Sequence, residues 1–148
     1  LNDKRYPHLN IYGKLDLIEH LDALNVRVTD FKTGSVKKKS EIEKLDEEGR
    51  MSAYLRQLAM YSYLINQSPK LQTNVKESRL EFLETKNKID AFYQTEIKDE
   101  QIEMIVKDIF DYDALVKKGE WINRPCHYNS YGKNTICEYC QMAKIYKD

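Results

Sequence analysis

Two short segments constrain this chain more than any others: residues 10–18, NIYGKLDLI, and residues 26–34, VRVTDFKTG. In both, apolar residues recur at every second position, the pattern of a strand with alternate side chains on opposite faces. Val26, Val28, Asp30 and Lys32 then share one face. A turn about Ala23 would set the first segment against the second, with Asp16 opposite Asp30. Two carboxylates and an ammonium would meet there.

Neighbouring carboxylates repel, and each loses hydration unless a cation stands between them. A divalent ion answers both costs, and Mg2+ or Mn2+ takes one or two carboxylates with water and phosphate oxygens. Lys32 could then orient an attacking water or stabilise charge that develops on phosphorus. The bland alternative is a cross-strand salt-bridge cluster with no chemistry. Asp-x-Lys is an uncommon tenant of a strand interior, which favours use over ornament.

Residues 50–66 read as an amphipathic helix, with Met51, Tyr54, Leu55, Leu58, Tyr61, Leu64 and Ile65 at spacings of three and four. Gln57 and Tyr61 stand one turn apart and project together, while Tyr54 and Tyr63 read as packing residues with hydroxyls at the surface. Between strand and helix, residues 37–49 are highly charged and read as a surface loop, with a short helical turn over 41–45. Its opening run, Lys37, Lys38 and Lys39, suits either a solvated loop or phosphate contacts. The whole chain has 24 basic and 24 acidic residues, so nucleic-acid binding would need such a local patch.

Downstream, residues 66–74 read as a connection, 80–84 as a strand, 86–88 as a tight turn and 89–97 as a returning strand. Asp99 is a candidate N-cap for a second helix carrying Ile102, Ile105, Val106, Ile109, Leu115 and Val116, with Glu103, Asp108, Asp111 and Asp113 on its wet face and Gly119 at its end. That helix is expected to cover the sheet. At 148 residues the length suits one domain, 1–148, ending in a Cys-containing tail, 121–148. No apolar run is long enough to span a bilayer, and the opening residues lack a signal-peptide pattern. Three cysteines clustered late argue against a secreted disulfide framework, so a cytoplasmic protein is expected. Cys137 and Cys140 form a Cys-x-x-Cys pair. With Cys126, and His127 for zinc, they could hold Zn2+ or an iron–sulfur cluster, or no metal at all.

Asp16 within GKLDLI, then DFKTG from Asp30 and QLAMY from Gln57 to Tyr61, resemble the PD-(D/E)xK nuclease superfamily, most closely its RecB-type branch. The resemblance implies a restriction-endonuclease-like α/β fold, a mixed β-sheet flanked by helices. It also implies Mg-dependent hydrolysis of DNA, with Asp16 and Asp30 on the metal, Lys32 activating water, and Gln57 and Tyr61 in the active site. Nuclease domains fused behind superfamily 1 helicases share the phrase around residues 28–34 and a late Cys-Glu-Tyr-Cys. A helicase partner in the parent chain, a role in DNA repair or recombination, exonuclease-type action and single-stranded DNA are the expectations that follow. Family members open on a helix whose histidine or glutamate completes the metal site, and residues 1–9, with His8 after Pro7, leave no room for it. A fragment of a longer polypeptide is therefore expected, one that could be inactive alone. The competing assignments are a non-catalytic DNA-binding or helicase-docking module of the same fold and, more remotely, a zinc interaction domain.

Overall fold

A computed structural model describes residues 8–9, 11–85 and 91–119. The elements run β1 (Leu17–His20), β2 (Asn25–Lys32), α1 (Lys39–Glu43), α2 (Ala53–Asn66), β3 (Asn74–Phe82), β4 (Phe92–Thr95) and α3 (Asp99–Lys118). The strands form one mixed sheet in the order β1-β2-β3-β4. β1 and β4 pair antiparallel with their neighbours, and β2 pairs parallel with β3. Parallel neighbours need a crossover, and α2 lies within it.

The first hairpin has the register expected from its alternation: Leu17 faces Thr29 and His20 faces Val26, which centres the turn on Ala23. Asp22 closes that turn, accepting from the backbone N–H of Leu24 and Asn25 at 2.8 and 2.9 Å and from the Asn25 amide at 2.8 Å. Those bonds, the Asn25 side chain first, hold its carboxyl below the usual range. One residue in the turn thus supports the four facing pairs of the hairpin by fixing where the chain reverses.

Core formation follows from one face of β2 and β3 meeting α2. Val26, Val28, Leu80 and Phe82 on the strands and Leu55, Leu58, Ala59 and Ile65 on the helix are buried. Each large apolar side chain so enclosed contributes about 1.5–3 kcal/mol. Ser62 of α2 and Ser78 of β3 bring a polar pair into this core, their hydroxyls 3.1 Å apart, and Ser62 Oγ also donates to the Leu58 carbonyl at 3.0 Å. Before β1 the chain lies against α2 at Gly13, where an added Cβ would stand 3.0 Å from Leu64 Cδ1 and 3.5 Å from Tyr61 Cε1.

Several boundaries differ from the expectation. α2 starts at Ala53, three residues beyond position 50, because Ser52 Oγ accepts from the Leu55 N–H at 3.2 Å and Met51 bridges to Leu45 instead. Residues 37–49 hold α1, whose Ile42 is fully buried, and Ser52 Oγ donates to the Ile42 carbonyl at 2.6 Å. β3 begins at Asn74, well before position 80. Of its early residues Asn74 and Lys76 are exposed, and Glu77 meets the Arg27 guanidinium at 2.6 Å, so no apolar run marks this half of the strand. β4 is shorter than 89–97; the turn at 86–88 lies outside the described residues.

Tyr63 corrects a second expectation: it is 2% exposed, so its ring and hydroxyl are enclosed and not at the surface. Asp99 is the first residue of α3, not its cap. The Lys98 carbonyl accepts from Gln101 and Ile102, and the Gln101 side chain accepts from the Lys98 N–H at 2.9 Å.

The chain divides into two compact units, residues 1–107 and 108–148, with the boundary inside α3. The first holds the sheet, α1, α2 and the opening of α3, where Ile105 is fully buried. In the second, Asp113 is buried, contrary to its expected place on a wet face, and pairs with Lys117 at 2.8 Å. α3 ends on Gly119 at φ +66°, the left-handed conformation that glycine adopts without a Cβ clash. Among the described residues no helix is long and apolar enough to cross a membrane.

Candidate functional site

Strand alternation puts Asp30 and Lys32 on the α2 side of β2, near the strand's end. Asp30 is 3% exposed, so its charge has little water and depends on neighbours. Lys32 Nζ stands 2.7 Å from Asp30 Oδ2. That oxygen nonetheless has no hydrogen-bond partner among the described residues. The two findings agree once the ammonium is taken to meet Oδ2 outside hydrogen-bond geometry: opposite charges at that distance attract at any angle.

Asp30 Oδ1 is better served. It accepts from Gln57 Nε2 at 3.0 Å and, at a long 3.3 Å, from the Tyr61 hydroxyl. Gln57 is the hub of the cluster. Its Oε1 accepts from Lys32 Nζ at 2.6 Å, and its Nε2 also lies 2.7 Å from the Tyr61 oxygen, which accepts. One amide therefore ties together the carboxylate, the ammonium and the phenol, as the one-turn spacing of Gln57 and Tyr61 on α2 allows. Burial pushes the Tyr61 hydroxyl above its ordinary pKa, and the charges of Asp30 and Asp16 push it further.

Asp16 joins from the residue just before β1. Its Oδ2 accepts from the Phe31 N–H at 2.9 Å, which anchors it one residue beyond Asp30, and its charge is felt at Tyr61. Its side chain stays exposed. Oδ1 of Asp16 accepts no bond among the described residues, so it and Asp30 Oδ2 both retain unused acceptor capacity.

Could these groups hold the ion that the sequence suggests? Hard oxygen donors suit magnesium or manganese, and two carboxylates completed by water and phosphate are sufficient for either. The buried, unbonded Oδ2 of Asp30 is the observation that fits. Among the described residues no group of three or more His, Cys, Asp or Glu side chains could hold a metal.

Of the remaining candidates, Lys38 and Lys39 are exposed at the start of α1 and Lys37 is half-buried. Glu41 accepts from the Lys38 N–H at 2.9 Å, and Lys39 Nζ lies 3.7 Å from Glu43. None of the three bonds to the Asp30 cluster. Cys126, His127, Cys137 and Cys140 lie outside the described residues. A groove lined by Glu41, Lys44, Asp46, Glu48, Arg50 and Arg56 runs over the α1–α2 connection and includes none of the cluster.

Tyr54, read from sequence as packing, also reaches the cluster: Lys32 Nζ is 5.5 Å from its ring centroid. Its place one turn before Gln57 was the available signal.

A mixed sheet flanked by helices, with carboxylates and a lysine gathered at the end of β2, defines a restriction-endonuclease-like α/β fold. A family model of the PD-(D/E)XK nuclease superfamily matches residues 3–145, and the chain belongs to that superfamily. Membership supports a nuclease function, a DNA substrate and the magnesium or manganese that such nucleases use. No curated protein and no solved structure matches the chain.

Proposed function

We propose that this chain is the metal-dependent deoxyribonuclease module of an intracellular helicase-nuclease, working on single-stranded DNA in repair or recombination. The observation that carries the hydrolytic part is the bonded cluster of Asp30, Lys32, Gln57 and Tyr61, with Asp16 beside it. The helicase context and strand preference rest on the resemblance of residues 28–34 and the late cysteines to helicase-fused nucleases.

Asp16 and Asp30 would hold magnesium, which supplies charge stabilisation at the scissile phosphate. Lys32, with an ammonium that can turn from Gln57 toward solvent, orients the attacking water and offsets negative charge as the phosphorus–oxygen bond forms. Gln57 fixes the Lys32 rotamer and the Asp30 carboxylate together, so that neither must reorganise when substrate arrives. Tyr61 keeps its proton at neutral pH, since burial opposes ionisation, and it therefore serves as a donor to Asp30. Exposed Lys38 and Lys39 are suited to phosphate contacts along the strand.

A non-catalytic module of the same fold is the second reading. It is favoured by how fully Lys32 is already engaged, with Asp30 at 2.7 Å and Gln57 at 2.6 Å. Cleavage of labelled single-stranded and duplex oligonucleotides, with Mg2+ and with chelator, separates the two. The nuclease predicts Mg-dependent cleavage that Asp30→Ala lowers by about 10²–10³-fold or more while DNA binding persists. Absence of cleavage by the unsubstituted chain, with DNA binding intact, would support the docking module instead.

A further inference from the structure

We infer that Tyr54 is a positioning residue for Lys32, holding the ammonium through the face of its ring. This inference rests on the nuclease reading only for its kinetic consequence; the contact itself is independent of it. Lysine carries three N–H donors and no acceptor. In this site Gln57 Oε1 lies 2.6 Å from Nζ and Asp30 Oδ2 lies 2.7 Å from it. The Tyr54 ring stands on a further side, its centroid 5.5 Å from Nζ, within the distance at which an aromatic face attracts a cation.

The ring is itself held. It meets Phe82 edge-on, with centroids 6.4 Å apart and planes at 71°. Phe82 is the register partner of Lys32 on the neighbouring strand. A cross-strand pair on β2 and β3 thus fixes the relation between the lysine and the ring that faces it. Helix spacing adds to this: Tyr54, Gln57 and Tyr61 sit at i, i+3 and i+7 on the same stripe of α2. The ring offers Lys32 attraction without a hydrogen-bond acceptor, so this contact is independent of the two oxygens that Nζ meets. It is also specific to a positive charge in a way that an aliphatic side chain of similar size is not.

The test compares Tyr54→Phe, which keeps the ring, with Tyr54→Leu, which keeps much of the bulk and loses the π face. The first readout is the Lys32 Cε–H signal in the chain labelled with ¹³C-lysine, assigned by its loss in Lys32→Met. Ring currents from Tyr54 displace that signal. It is expected to stay near its wild-type position in Tyr54→Phe and to move toward the unstructured lysine value in Tyr54→Leu. The second readout is cleavage of a DNA oligonucleotide: kcat falls by about three- to tenfold in Tyr54→Leu with KM unchanged, and Phe restores it. A Lys32 signal that is the same in wild type and Tyr54→Leu overturns the inference, as does a Phe variant that behaves like Leu. If no form cleaves DNA, the nuclease reading fails while the spectra still decide the contact.

Discussion

Replacing Gln57 by Leu probes the hub of the cluster while keeping side-chain volume nearly constant. The amide makes three contacts, 2.6 Å to Lys32 Nζ, 3.0 Å to Asp30 Oδ1 and 2.7 Å to the Tyr61 oxygen, two of them to charged groups. Leucine removes all three and leaves Asp30 Oδ1 with only the 3.3 Å contact from Tyr61. Leaving a buried polar group unpaired costs about 1–3 kcal/mol, more when it is charged. Lys32 is 23% exposed at its side chain, so water can replace part of its loss. The net cost should fall near 1–2 kcal/mol, a drop in Tm of about 2–8 °C for a domain of this size. Urea unfolding of wild type, Gln57→Leu, Asp30→Asn and the double variant measures it, since residues in one network couple by about 0.5–3 kcal/mol. A cost below about 0.5 kcal/mol together with additive free energies would refute the bridging role, because surface substitutions alone span that range.

Other consequences can be checked alongside. Burial, reinforced by Glu43 at 2.9 Å from its hydroxyl, pushes the Tyr93 pKa up to about 12. Unfolded tyrosine ionises near 10, so stability from this group is complete below about pH 10 and is lost as pH rises toward 12, by about 1.4 kcal/mol per unit. Tyr93→Phe should flatten that decline in an unfolding series. Ser62→Ala strands the Ser78 hydroxyl in the core and should cost about 1–3 kcal/mol, whereas Ser78→Ala leaves Ser62 its bond to the Leu58 carbonyl and should cost about 1 kcal/mol or less. Leu58→Ala, at a fully buried position, should cost about 2–5 kcal/mol by chemical denaturation.

How much of this was legible in the residues alone varies along the chain for physical reasons. Period-two apolar positions in the two segments, with a turn about Ala23, set both the register and the shared face of Asp30 and Lys32; the Asp22 bonds that close the turn involve its backbone and were not legible in advance. The 3.6-residue period of α2 set Gln57 above Tyr61. β3 was harder because its first half has exposed Asn74 and Lys76 and half-buried Glu77, whose partner Arg27 comes from another strand. α1 has one buried apolar residue, Ile42, and a single residue has no period. Tyr54 and Tyr63 show a related gap: periodicity locates the buried stripe of a helix but says nothing of what each ring touches. Asp113 was assigned to water by its charge, and its i,i+4 pairing with Lys117 is a relation between residues that composition does not rank.

Metal-dependent cleavage requires Asp16 and Asp30 to present their oxygens to one divalent ion, and manganese broadening of assigned amide signals tests that most directly. The prediction is that substoichiometric Mn2+ broadens signals around Asp16, Asp30 and Lys32 first, and that Asp30→Asn abolishes the effect. Broadening centred instead on the acidic residues Asp46, Glu47 and Glu48, or unchanged by Asp30→Asn, would contradict it.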